Sequence, residues 1–396
     1  MNHILRPSMA PRAVPQTQIP HTSRLFQDFL YAYPRVSEFY PSPPFAPEGM
    51  RASAEAIRYP EPLRARVAEV LREPAEHAPA ESATRRNLER FARPGCCAVV
   101  TGQQVGLFSG PAFTLYKALT AIKLAARLSE QGIEAVPVFW LATEDHDLAE
   151  VNHCYVQDRE GKPVRLQYEE ASRLEQAPVG TIRFNPSIRT VLDSLRAALP
   201  ESDDARALLE QIEHCYRPGA DFGEAFGSLL ARLLWRYGVL MLASSDARLH
   251  RLARGVFRTA IECAGEISRE LRGRNERLAQ AGYHAQVRVA ENSTVLFLHE
   301  GGRRSALHFE EGQFVSSRGN RYERAQLLEM LESDPALFSP SALLRPVMQD
   351  ALLPTVAYVG GPSEIAYLAQ SAVLYQRFLE RMPVVFPRAS FTILDP

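Results

Sequence analysis

The stretch from Cys96 to Asp147 constrains the fold more than any other part of the chain. It runs from an apolar segment, "CCAVV", through a loop with glycines at 102, 106 and 110, to a helix-like segment and a second apolar run, "AVPVFWLA". Strand, helix, strand in this order is a βαβ unit, and such units build parallel sheets. Pro111 after Ser109 suits a helix start, and Phe113, Ala118, Ile122, Ala125 and Leu128 recur at helical spacing toward Glu130. The pattern returns in "GVLMLASSDARLHRLARGVF". It returns again in "PTVAYVGGPSEIAYLAQSAVLYQRFLERM", which leads into a last strand, "PVVFPRASFTIL". The expectation is an α/β fold with a doubly wound parallel sheet.

Two segments break the pattern. "CYVQDREGKPVRLQY" is hairpin-like, and residues 283–320 alternate as antiparallel strands do. The expected organisation is a helical and irregular N-terminal segment (1–95), with helices near Pro62–Leu71 and Glu81–Phe91, followed by a core broken by two insertions. The core occupies 96–153, 236–282 and 341–396; the insertions are 154–235 and a β-rich 283–340.

Composition narrows the partners. A chain of 396 residues, 46% hydrophobic and 23% charged, with a formal net charge of -1, is an ordinary globular protein. It gives no general reason to expect nucleic acid or an anionic membrane. No apolar run reaches the length of a membrane span, and "MNHILRPSMAPRAVPQTQIP" lacks the apolar core of a signal peptide, reading instead as an irregular arm. The expected location is cytoplasmic. Cys96, Cys97, Cys154, Cys215 and Cys263 form no C-x-x-C pair, so neither a zinc ribbon nor a thioredoxin-like motif is available; no zinc is expected, and no residue is assigned as a metal ligand. Lysine occurs only at 117, 123 and 162, every other basic residue being arginine. A lysine retained in the helix after the glycine loop points to a need for a compact ammonium.

Open parallel sheets bind ligands beyond the carboxyl ends of their strands, at the switch in strand order. Four such ends carry polar or glycine residues: Thr101-Gly102-Gln103-Gln104, Thr143-Glu144-Asp145-His146-Asp147, Ser244-Ser245-Asp246 and Gly360-Gly361-Pro362-Ser363-Glu364. The glycine loop is neither the dinucleotide fingerprint nor a P-loop. It nevertheless ends at a helix N-terminus, where free N–H groups attract an anion. Gly102, Gly106 and Gly110 let backbone approach a phosphate or carboxylate, while Gln103 and Gln104 supply directional hydrogen bonds and Ser109 leads into the helix. Lys117 leans toward the same point. The competing readings are a tight turn and a solvated lysine.

"TEDHD" supplies candidate acid–base or amine-binding groups in Asp145, His146 and Asp147, with Glu144 and Asn152 beside them. It also reads as a metal cluster, or as Asp147 capping a short helix with Glu150. In extended chain Asp145 and Asp147 share one face and Glu144 and His146 the other, so all four reach one ion only through a turn. Near the C-terminus, Gly360, Gly361 and Glu364 repeat the glycine-loop logic, and Arg345 and Gln349 face the same crevice. Trp140 ends a buried strand, as core or as a stacking platform.

The blocks "TGQQVGLFSGPAFTLYKALTAIKLA", "PVFWLATEDHDLAEVNH" and "LLRPVMQDALLPTVAYVGGPSEIAYLAQ", with "RVSEFY" and "FPRASFT", resemble those of the bacillithiol biosynthesis cysteine-adding enzymes, BshC. The resemblance runs in order over most of 22–394. It implies a Rossmann-like core with two connecting insertions, and a reaction joining the carboxylate of L-cysteine to the amine of glucosaminyl malate as an amide. A free carboxylate is a poor acyl donor and a protonated amine a poor nucleophile. Activation by ATP with Mg²⁺ is therefore expected, with the glycine loop and Lys117 on the anionic group and Asp145, His146 and Asp147 on the amine. Family members continue past "FPRASFTILDP" into a dimerising coiled coil. That segment is expected to be absent here, and with it the usual route to a dimer. Leu368 stands where tryptophan is common.

Residue types alone also admit an adenylating or nucleotidyl-transferring enzyme acting on another small acid. A third possibility is a non-catalytic α/β module that binds a sugar phosphate or thiol metabolite.

Overall fold

The sheet at the centre of the molecule is assembled from segments far apart in sequence. In the computed structural model, which describes residues 13–169 and 177–392, helices α1 (Arg24–Tyr31), α2 (Pro47–Glu55), α3 (Glu61–Glu76) and α4 (Ala83–Phe91) precede strand β1 (Cys97–Gln104). Then come α5 (Phe113–Glu130) and β2 (Ala135–Ala142). The first twelve residues of the expected irregular arm, and 393–394 of the expected last strand, lie outside the described residues.

A first excursion carries α6 (Leu148–Val151), the antiparallel hairpin β3 (His153–Gln157) and β4 (Pro163–Gln167), and helices α7 (Ile188–Ala198), α8 (Asp203–Cys215) and α9 (Phe222–Leu234). The chain returns as β5 (Leu240–Ala243), followed by α10 (Ala247–Leu252), α11 (Arg254–Glu262) and α12 (Ala264–Gln280). A second excursion makes an antiparallel sheet from β6 (Ser293–Glu300), β7 (Arg303–Glu310), β8 (Gln313–Ser316) and β9 (Arg321–Tyr322). Helix α13 (Arg324–Ser333) follows, and β10 (Phe338–Pro340) closes that sheet against β6. Last come α14 (Arg345–Leu352), β11 (Thr355–Gly360), α15 (Pro362–Leu379) and β12 (Val384–Pro387).

The central sheet has the order β12-β11-β1-β2-β5, all parallel. Counted along the chain this is 5-4-1-2-3, the doubly wound Rossmann order, with its reversal between β1 and β11. Period-two burial explains why the strands sit inside. On β2, Val136, Val138 and Trp140 enter one hydrophobic cluster, while Phe139 and Leu141 enter another on the opposite face. Among the described residues no helix is long and apolar enough to cross a membrane.

Helix α5 begins at Phe113, two residues later than the Pro111 reading. Ser109 does not cap it. Phe108 and Ser109 take positive φ values of 48° and 70°, and the Ser109 N–H points to Tyr216 Oη (3.4 Å).

Candidate active site

A cavity of about 570 Å³ opens at the reversal in strand order, bounded by the ends of β1, β2, β5 and β11 and roofed by the second sheet. Three of the four expected strand ends reach it through Gly102–Gln104, Glu144–His146 and Gly361–Glu364. Ser244 represents the fourth. The roof adds Phe297 of β6, Arg304 of β7 and Pro340–Ala342.

Gly102 of β1 packs tightly against β2: a Cβ there would lie 2.7 Å from the Trp140 carbonyl oxygen. Trp140 is fully buried and its indole Nε1 has no hydrogen-bond partner, so it belongs to the core although it borders the cavity.

Lys117 is neither solvated nor free for a ligand. Its ammonium contacts Gly102 O (2.9 Å), Gln103 Oε1 (2.8 Å) and Glu364 Oε2 (2.5 Å), which uses its three donors. Burial pushes its pKa down, against the pull of Glu364. Glu364 combines both roles that its position suggested. It caps α15 through the Gly361 N–H (2.7 Å) and accepts from Tyr358 Oη (2.6 Å). Burial works to raise its carboxyl, but Lys117 and these hydrogen bonds prevail and hold it below the usual value.

The TEDHD segment turns at Thr143–Glu144, which brings Glu144, Asp145 and His146 to the cavity together. Asp145 Oδ1 accepts the N–H groups of His146 (2.7 Å) and Asp147 (3.2 Å), and Oδ2 accepts from Gln104 Nε2 (2.7 Å). Asp147 is exposed, does not line the cavity, and caps α6 by accepting from Glu150 N (3.3 Å). His146 Nδ1 faces Arg304 Nη1 at 3.2 Å. Burial, then the Arg304 charge, lower the His146 pKa. Glu144 pairs with His250 of α10, Oε1 to Nε2 3.2 Å.

Several expected site residues have other work. Thr101 donates to Val359 O (2.8 Å), joining β1 to β11. The loop from Gly106 to Ser109 turns into the second core, where Tyr216 donates from Oη to Gly106 O (2.6 Å). A Cβ on Gly106 would meet Val151, and Gly110 has φ 67° because the chain reverses there. Gly106 to Ser109 thus form a packed turn that lies outside the cavity lining. Asn152 donates to Tyr168 O (3.4 Å) behind the hairpin. Gly360 allows close packing, its absent Cβ lying 3.2 Å from Glu364 Cβ. Gln349 is fully buried and braces Arg345, accepting from Nη1 (3.1 Å) and donating to Asp350 Oδ1 (3.1 Å).

Arg345 reaches the cavity as expected, held further by Tyr367 Oη (2.6 Å) and Tyr358 Oη (3.3 Å). Arg304 and Arg388 also line the cavity, and the four strand ends singled out in the sequence do not include them. Among the described residues none of these three guanidinium groups has a carboxylate within 4.0 Å. Arg304 donates to Ser339 Oγ (2.9 Å) and lies over the Phe297 ring, 3.9 Å from its centroid. Arg388 follows β12 and lies over Phe113, 5.2 Å from its centroid. Burial lowers the pKa of both. Arg388 stands just past a strand end, so the rule that found the other groups applied to it. No local signal marks Arg304 or His250.

Burial disfavours the thiolate at four of the five cysteines. Burial pushes the Cys96 thiol up to about 12 and Cys154 up to about 11.

Residues 13–389 match the family described as "Bacillithiol biosynthesis BshC, N-terminal Rossmann-like domain". The chain is 42% identical over 382 residues to a protein of Solibacter usitatus named "Putative cysteine ligase BshC", covering 96% of this chain and 70% of that one. Proteins of the same name from Koribacter versatilis and Salinibacter ruber are 39% and 36% identical, covering 98% and 94% of this chain and 71% and 68% of theirs. With the parallel sheet in Rossmann order and this match along nearly its whole length, the chain belongs to the BshC family of bacillithiol biosynthesis.

Proposed function

We propose that the protein is a cytoplasmic ligase that joins the carboxylate of L-cysteine to the amine of glucosaminyl malate, forming an amide in the cavity at the strand-order reversal. The observation that carries this reading is the trio Arg304, Arg345 and Arg388, lining the cavity without a carboxylate partner among the described residues. Guanidinium groups in such a setting bind carboxylates and phosphates with directional, charge-assisted hydrogen bonds. The substrates of this reaction are anionic.

The same residues fit ATP, whose phosphates the three arginines would hold, with Mg²⁺ arriving on the nucleotide. ATP supplies the activation that a cysteine carboxylate needs, turning one of its oxygens into part of a phosphate leaving group. The protein's own residues then orient the partners. Arg345, fixed by Tyr358, Tyr367 and Gln349, is a rigid anion anchor. Arg304 ties the roof to His146. Gln103, its carbonyl oxygen held by Lys117, presents its amide to the cavity. Lys117 with Glu364 fixes the floor and takes no part in proton transfer.

The test is a mass-spectrometric assay of the purified chain with cysteine, glucosaminyl malate, ATP and Mg²⁺, with each component omitted in turn. A product heavier by one cysteinyl residue, lost on omission of cysteine, amine or ATP, supports the reading. Turnover of ATP with a different acid and none with cysteine refutes it.

A further inference from the structure

We propose that Glu144, lining the cavity and backed by the buried imidazole of His250, takes the proton from the attacking amine, and that His250 is its positioning residue. This rests on the ligase reading above.

The other ionisable groups of the β2 end are engaged. Asp145 has both oxygens committed, one to two backbone N–H groups and one to Gln104. His146 Nδ1 faces Arg304, which has only donors, so that nitrogen carries no proton and its lone pair is occupied. Its Nε2 therefore holds the ring proton and cannot accept another. Asp147 points to solvent as a helix cap. Lys117 has its three donors bound.

Glu144 differs from all of these. It is 6% exposed and borders the cavity, with Oε1 on His250 Nε2. Among the described residues no protein hydrogen bond reaches its Oε2. His250 is 2% exposed and lies outside the cavity lining. Its Nε2 also lies 3.0 Å from Ser244 O. A nitrogen facing two acceptors must be protonated, so the imidazole donates toward Glu144 and holds one carboxylate oxygen away from the cavity. Burial works against a charged His250, yet Glu144 raises its pKa above the ordinary value. The other charged or titratable groups facing Glu144 are His299 of β6, Arg304 of β7, and Asp145 and His146 from its own loop.

The step balances simply. Glu144 Oε2 takes one proton from the bound ammonium, which frees the nitrogen lone pair. The amine nitrogen then attacks the activated cysteine carboxyl carbon, the C–N bond forms, the C–O bond to the phosphate leaving group breaks with its electron pair, and the second nitrogen proton leaves on that phosphate.

The experiment is the pH dependence of amide formation by the full chain, with cysteine, glucosaminyl malate, ATP and Mg²⁺, in wild type, Glu144→Gln, His250→Leu and His250→Gln. Glu144→Gln should lose at least a hundredfold in kcat with KM values within threefold of wild type. Its rate should then climb about tenfold per pH unit below the amine's own pKa, because solvent must now remove the proton; the wild-type profile is flatter there. His250→Leu should lose at least tenfold in kcat at unchanged KM, and His250→Gln, which keeps a donor toward Glu144, should recover part of it. If Glu144→Gln does not fold, Glu144→Gln/His250→Gln, which replaces the ion pair by two amides, carries the same test. A Glu144 variant within threefold of wild type and with the wild-type pH profile overturns the proposal while leaving the ligase reading intact. A wild-type chain that forms no amide overturns both.

Discussion

Lys117 and Glu364, from the helices that follow β1 and β11, meet at 2.5 Å beneath the cavity and lock together the two strands between which the sheet reverses. Both side chains are largely shielded, at 6% and 15% exposure, so neither charge is easily left alone. Removing one partner of a buried pair costs more than the pair itself contributes. Lys117→Met should therefore destabilise the fold by about 3–5 kcal/mol. Lys117→Met/Glu364→Gln should recover much of that, measured by denaturant unfolding.

Stability should fall at both ends of the pH scale for separate reasons. The folded-state pKa of Glu364 is depressed, so its contribution is present above the unfolded value of about 4.3 and disappears as pH falls through the folded one. That of His250 is raised, so its contribution is complete below the unfolded value of about 6.5 and is lost as pH rises through the folded one. Thermal melting of wild type against His250→Gln should show a stability difference that shrinks from pH 6 to pH 9.

Tyr216→Phe tests the role of the glycine loop. The hydroxyl bridges Gly106 O and Ser109 N in the second core, away from the cavity. Its loss should cost about 1 kcal/mol in stability. The KM values should not move. A large rise in KM for ATP would restore the loop as a phosphate site.

Arg345→Lys should behave as a non-conservative change. A lysine cannot meet Tyr358, Tyr367 and Gln349 while presenting a planar fork to an anion. KM for an anionic substrate should rise about tenfold, equivalent to about 1.4 kcal/mol. Arg304→Met should raise KM similarly and also release His146, whose pKa should move up once the neighbouring charge is gone.

The alternation and spacing of apolar residues made the βαβ unit and the strand ends legible, because they depend on local chain geometry. Gly102, Gln103, Glu144 and Glu364 were found this way, since a strand's carboxyl end is readable from the strand itself. The orientation of Gly106–Gly110 was not legible. It is set by Tyr216, over a hundred residues away, which draws the loop into the second core. Arg304 and His250 were hidden for the same reason: each becomes meaningful only when the second sheet or α10 packs against the end of β2. Asp147 illustrates the opposite case, where the short-range capping pattern matches the hydrogen bond that it makes.

The most direct test of the central claim, that anionic substrate is held at the strand-order reversal, is a crystal structure of the protein with glucosaminyl malate. The account predicts density in the cavity, with its carboxylates on guanidinium groups of the trio Arg304, Arg345 and Arg388 and its amine toward Glu144. Density elsewhere on the molecule with this cavity empty, at saturating ligand, would contradict it.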